Sequence, residues 1–132
     1  MVNILLVEND ESHRCLIKAN LKRPDLRFLE AGNDMESLKI LGEHKPDLVL
    51  MDIMMPRGYN WHLLEELKNK PDTRGIPVII LTVADEKARA MAMGADSYIR
   101  KPFSADVLKQ EVDRFLFPNS YNMPFCLMMK NR

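Results

Sequence analysis

Six side chains able to do polar chemistry fall where apolar runs stop. Glu8, Asn9 and Asp10 follow Val2–Val7, Asp52 follows Leu48–Met51, Thr82 follows Ile76–Leu81, and Lys101 follows Ser97–Arg100. The set comprises carboxylates, an amide, a hydroxyl and an ammonium. An ionised Asp can attack phosphorus and form an acyl phosphate, which makes Asp52 the nucleophile candidate. Clustered carboxylates recruit Mg²⁺, a hard cation that prefers oxygen ligands and keeps several waters. Its charge offsets the repulsion between a carboxylate and an incoming phosphoryl group. Lys101 and Thr82 are suited to the remaining phosphoryl oxygens, and such a transfer is mostly a matter of positioning and charge stabilisation.

These groups meet only if the strand ends lie side by side. Four consecutive apolar residues, Leu48 to Met51, suit a strand buried on both faces. Pro56 cannot donate to a ladder, so that strand stops before it. Asp52 then sits at the carboxyl end of a central strand, where open α/β sheets place their ligand sites. Further strands are expected over 2–7, 26–30, 76–81 and 97–100. Between them the spacing predicts helices. The first spans 11–22, with Cys15, Leu16, Ala19 and Leu21 on its apolar side and Asp10 as its cap or first residue. The second starts in a capping box at Asn33, with Met35, Leu38 and Leu41 at helical spacing. The third spans 61–69, with Trp61, Leu64 and Leu67 on one face. The fourth spans 85–93, turns Ala88, Met91 and Ala92 inward and is capped by Gly94. The last follows Ser104 and carries Leu108, Val112, Phe115 and Leu116. Strand and helix alternate five times, which implies a doubly wound (βα)5 α/β sandwich with a five-stranded parallel sheet.

Composition narrows the function. The 132 residues suffice for one domain, here 1–117. Residues 118–132 break the pattern and read as a tail, too short for an effector domain. Nineteen basic residues balance nineteen acidic ones, which gives no electrostatic case for nucleic acid or an anionic membrane. Cys15 and Cys126 form no CxxC and read as incidental thiols in a reducing compartment. The start is no signal peptide and no apolar run approaches membrane-spanning length, so a cytoplasmic location is expected. His13, His44 and His62 have no ligand spacing and read as surface residues, while Trp61 and Met51, Met54 and Met55 read as core and rim.

The segments ILLVEND, DLVLMDIMMP, PVIILT, GADSYI and KPF, in this order, resemble the receiver domain of bacterial two-component response regulators. That flavodoxin-like family includes the single-domain chemotaxis regulators. The resemblance covers about residues 2–117. It implies a chain that is no conventional enzyme but assists its own phosphorylation. Asp52 would accept phosphate from a histidine kinase or phosphotransfer protein. Mg²⁺ would be held by Glu8, Asn9, Asp52 and the backbone carbonyl of Met54. Thr82 would be the switch hydroxyl, Tyr98 the aromatic switch that moves inward with it, and Lys101 the phosphate clamp. The Lys101–Pro102 bond would be cis. A downstream protein would read the face of the fourth helix, fifth strand and fifth helix. A homodimer would use the fourth-helix face.

Three departures from the family stand out. Asn9 replaces a carboxylate that touches the metal directly. A unit charge about 4 Å away matters by roughly 4 kcal/mol at an effective dielectric near 20, so weaker Mg²⁺ binding is expected. Asp10 lies one residue on, where strand alternation points it elsewhere. The stretch from Thr82 to Lys101 is about one helical turn shorter than the family's. Asn60 stands where the family has Gly before the helix, and Asn can supply the left-handed conformation expected there. Two readings follow: a phospho-switched receiver, and a phosphorylation-independent receiver acting as a protein-interaction module. A flavin carrier or enzyme of similar fold is disfavoured, because acids rather than a Gly-rich phosphate loop follow the first strand.

Overall fold

Leu48–Met51, buried along its whole length, forms β3 at the centre of a five-stranded parallel sheet. The computed structural model describes residues 1–118, and all of the expected tail but its first residue lies outside them. The strands are β1 (Val2–Val7), β2 (Leu26–Ala31), β3, β6 (Val78–Thr82) and β7 (Ser97–Arg100), in the order β2-β1-β3-β6-β7. The helices are α1 (Glu11–Leu21), α2 (Asp34–Glu43), α3 (Trp61–Asn69), α4 (Lys87–Ala92) and α5 (Ala105–Leu116). A two-residue hairpin, β4 (Met54–Met55) and β5 (Gly58–Tyr59), lies outside the sheet.

Alternation along the strands divides the core in two. Leu5, Val7, Val49, Met51, Val78 and Ile80 face one side, where Leu63, Leu64 and Leu67 of α3 and Ala90 of α4 cover them. Ile4, Leu6, Leu48, Leu50, Ile79 and Leu81 face the other, against Ile17 and Leu21 of α1 and Leu108 and Val112 of α5. The expected doubly wound sandwich is therefore the observed fold. No helix among the described residues is long and apolar enough to cross a membrane.

Three helical faces differ from expectation. In α1 the buried residues are Ile17 and Leu21, while Cys15, Leu16 and Ala19 face solvent. The helix is weakly amphipathic, so two phases compete. The inward one is fixed by Ile17 and Leu21, four residues apart on one stripe. In α4 only Ala90 is buried, and Ala88, Met91 and Ala92 are exposed. At six residues this helix is shorter than the expected span, and no side chain caps its start at Glu86. In α2, likewise, Met35 points to solvent while Ser37 is buried and Ile40 and Leu41 pack on the core.

The caps hold up better. Asp10, Asn33 and Ser104 accept the N–H groups of Ser12, Glu36 and Val107 and so start α1, α2 and α5. Asn60 caps α3 by accepting the Leu63 N–H at 3.3 Å. It does so at φ −94°, outside the left-handed region expected for it. Gly58 takes a positive φ of 118° instead, and that turn closes the hairpin. Gly94, just past α4, sits at φ 107° against the Lys68 stem. The Lys68 ammonium bonds Asp96 at 2.7 Å and the Ile76 carbonyl at 2.9 Å, joining α3 to the strand starts at the opposite end of the sheet.

Candidate functional site

The register of the parallel ladders brings the expected residues together. Val7 pairs with Met51, so Glu8 and Asp52 emerge side by side from adjacent strands. Backbone bonds carry this alignment past the strand ends: Asp52 N–H to the Val7 carbonyl at 2.9 Å, Glu8 N–H to Ala31 at 3.0 Å, and Lys101 N–H to Thr82 at 2.8 Å. The Lys101–Pro102 peptide bond is cis.

Lys101 reaches across the gap. Its ammonium donates to Glu8 Oε2 at 2.9 Å and to Asp52 Oδ2 at 3.0 Å. The three side chains are nearly closed off, with exposures of 11% for Lys101, 3% for Glu8 and 8% for Asp52. Burial alone would lower the Lys101 pKa, but the hydrogen bonds to Glu8 and Asp52 together outweigh it and hold the ammonium above the ordinary lysine value. The other oxygens of the pair are also bonded. Asp52 Oδ1 accepts the Met54 N–H at 2.8 Å, and Glu8 Oε1 accepts the Asp10 N–H at 3.3 Å.

Thr82 and Tyr98 belong to a neighbouring cluster. Thr82 is fully buried, and its hydroxyl accepts the Ala84 N–H at 3.2 Å. The Tyr98 hydroxyl donates to the Ala84 carbonyl and accepts the Glu86 N–H at 3.0 Å. Burial pushes the Tyr98 phenol above its usual pKa. The segment from Val83 to Glu86 is thus clasped from both ends by the two expected switch residues.

Asn9, one residue past Glu8, and Met54, two past Asp52, are both exposed. Asp10 is turned away as the cap of α1. Glu8 and Asp52, with the Asn9 amide oxygen and the Met54 carbonyl, would offer an all-oxygen set of low charge. That chemistry fits a small hard cation that keeps most of its waters. Among the described residues no three His, Cys, Asp or Glu side chains are grouped as a metal site.

One site residue was read as surface from sequence. His13, in the first turn of α1, brings Nδ1 to 3.3 Å from the Lys101 ammonium and 3.5 Å from Glu8 Oε1. The available signal was its place three residues after a capping Asp that directly follows a strand end. Arg14 beside it donates to the Glu8 carbonyl. His44 and His62 lie elsewhere.

A family model for the response regulator receiver domain matches residues 4–113. The phosphate regulon transcriptional regulatory protein PhoB of Pseudomonas aeruginosa is 36% identical over 104 residues, covering 76% of this chain and 45% of that protein. A histidine kinase of Formosa agariphila is 34% identical over 116 residues, covering 86% of this chain and 8% of that protein. The chain thus spans less than half the length of these curated relatives. The receiver domain of a signal transduction histidine kinase from Syntrophus aciditrophicus superposes with a TM-score of 0.80 at 30% identity, covering 95% and 96% of the two chains. The receiver domain of a Pseudomonas aeruginosa sensor histidine kinase has a magnesium ion coordinated in its active-site cleft. It shares the fold with a TM-score of 0.77 at 23% identity, over 87% of this chain and 97% of that one.

Proposed function

This chain belongs to the response regulator receiver family of two-component systems, and we propose that Asp52 is its phosphoacceptor. The phosphoryl group comes from the phosphohistidine of a histidine kinase or phosphotransfer protein, in the cytoplasm, and the charged state changes a face read by a downstream protein. The observation that carries this reading is the convergence of Asp52, Glu8 and the Lys101 ammonium within 3.0 Å at adjoining strand ends.

In the transfer, an Asp52 carboxylate oxygen attacks phosphorus in line with the donor's P–N bond. The P–O bond forms, the P–N bond breaks, and the leaving imidazole keeps the electron pair and takes a proton. The Lys101 ammonium, bonded to Asp52 Oδ2 at 3.0 Å beforehand, then turns to a phosphoryl oxygen. Magnesium, when bound, supplies the charge that offsets repulsion between two anions. Glu8, Asn9, Asp52 and the Met54 carbonyl are its proposed ligands, and Asn9 leaves them one negative charge short of the family's set.

The switch follows from the clasped segment. For Thr82 to reach a phosphoryl oxygen, its hydroxyl must leave the Ala84 N–H. Tyr98 already holds that segment in the unphosphorylated chain, so its movement is to follow Ala84 and Glu86. The displacement is thereby passed to β7 and α4. The chain assists its own phosphorylation and is not a conventional enzyme.

Two observations favour a phosphorylation-independent interaction module: Asn9 stands where the family has a carboxylate, and α4 is only six residues long. Intact-mass analysis after incubation with acetyl phosphate separates the readings. A gain of one phosphoryl group that requires Mg²⁺ and vanishes in Asp52→Asn supports the phosphoacceptor. No gain at millimolar Mg²⁺, with partner binding unchanged in Asp52→Asn, supports the module.

A further inference from the structure

We infer that His13 is a positioning residue for Lys101. Its Nδ1 takes the third ammonium proton and completes a cage of three acceptors. An ammonium carries three N–H donors and accepts nothing. Two of them go to Glu8 Oε2 at 2.9 Å and Asp52 Oδ2 at 3.0 Å. The next acceptor in reach is His13 Nδ1 at 3.3 Å.

The surroundings of Nδ1 assign its role. Glu8 Oε1 at 3.5 Å and Asp10 Oδ2 at 3.8 Å would each welcome a proton on that nitrogen. Both carboxylates have donors of their own, however. Glu8 Oε1 takes the Asp10 N–H at 3.3 Å, and Asp10 is held through Oδ1 by the Ser12 N–H at 2.9 Å and the Ser12 hydroxyl at 2.6 Å, which leaves its Oδ2 at 3.8 Å, beyond hydrogen-bond distance of Nδ1. Lys101 can only donate and is the nearest of the three. Nδ1 therefore presents its lone pair to the ammonium.

The consequence bears on the transfer, and to that extent the inference rests on the phosphoacceptor reading. When a phosphoryl group arrives, Lys101 must release Asp52 to bind a phosphoryl oxygen. A lysine on its flexible four-carbon stem, held only by Glu8, has many other positions to adopt. Held by Glu8 and His13 together, it stays over Asp52 throughout. His13 belongs to α1, so the first helix takes part in placing the clamp of the last strand.

The test uses the full chain with ¹⁵N-labelled lysine, comparing the natural protein with His13→Leu and His13→Asn. Asn can offer its Oδ1 where His offers Nδ1; Leu offers no acceptor. His13 is 47% exposed in its side chain, so both variants should fold, with unchanged Trp61 fluorescence as the check. The Lys101 ammonium signal, assigned by its loss in Lys101→Met, should be slowly exchanging in the natural chain and in His13→Asn and lost in His13→Leu. Labelling by saturating acetyl phosphate should slow about fivefold in His13→Leu, the effect of one net hydrogen bond, and recover in His13→Asn. A Lys101 signal that survives in His13→Leu, or that is absent from the natural chain, overturns the inference. If the signal behaves as expected but no chain is labelled, the phosphoacceptor reading fails and the cage stands.

Discussion

Lys101→Met removes the ammonium and keeps a side chain of similar length. In the natural chain Nζ lies 2.9 Å from Glu8 Oε2 and 3.0 Å from Asp52 Oδ2, so the two oxygens are no more than about 6 Å apart, the limit set by those two sides of the triangle. Both carboxylates are nearly buried. Two unit charges about 6 Å apart at an effective dielectric near 20 repel by about 3 kcal/mol. The expected loss of stability is therefore about 3–4 kcal/mol, in the range for breaking a buried ion pair. Urea unfolding followed by Trp61 fluorescence measures it. Millimolar Mg²⁺ should stabilise the variant more than the natural chain, since both carboxylates are free of the ammonium. A gap below about 1 kcal/mol at pH 7 would refute the reasoning, because the penalty rests on two buried carboxylates left facing each other.

Three further outcomes follow from the same contacts. Lys101 has a folded pKa above its unfolded value near 10.4, so its contribution is complete below about pH 10.4 and lost as pH rises through the folded pKa. Alkaline titration of stability should accordingly be steeper in the natural chain than in Lys101→Met, and the raised Tyr98 phenol adds to it with the same sign. Tyr98→Phe removes the partner of the Ala84 carbonyl and the Glu86 N–H and should cost about 1–2 kcal/mol in urea unfolding, with faster amide exchange at Glu86. Gly94→Ala places a Cβ 3.1 Å from Lys68 Cγ at a φ of 107° and should lower stability by about 1–3 kcal/mol, read as a shifted urea midpoint with unchanged slope.

The strand ends were legible because parallel strands must be apolar throughout. Polar residues such as Asp52 and Lys101 could then stand only past their ends, and the alternation implied the parallel sheet that sets those ends side by side, while the order of the strands was not legible in it. The caps at Asn33 and Ser104 were legible for a similar reason: few residue types satisfy the first N–H groups of a helix. What stayed hidden depends on rotation about an axis. Cys15, Leu16 and Ala19 form as good an apolar stripe as Ile17 and Leu21 when only α1 is considered, and the sheet alone decides between them. His13 was missed for the same cause, since its approach to Lys101 requires the phase of α1 over β1 and β7. The hairpin at Met54–Tyr59 rests on the backbone of Gly58, in a stretch too short for periodicity to register.

The brevity of α4 sets an energy scale for signalling. Six residues with no side-chain cap and one buried alanine supply little of the packing that normally holds a helix in water. Its opening therefore costs far less than unfolding the sheet. Its amides should exchange hydrogen well before those of β3 and β6, whose residues are all buried. A conformational bias of about 1.4 kcal/mol changes a two-state population tenfold, and an element this lightly anchored lies within reach of a bias of that size. A single charged group arriving at Asp52 could thus redistribute the populations of α4 without disturbing the thermodynamic stability of the rest of the molecule.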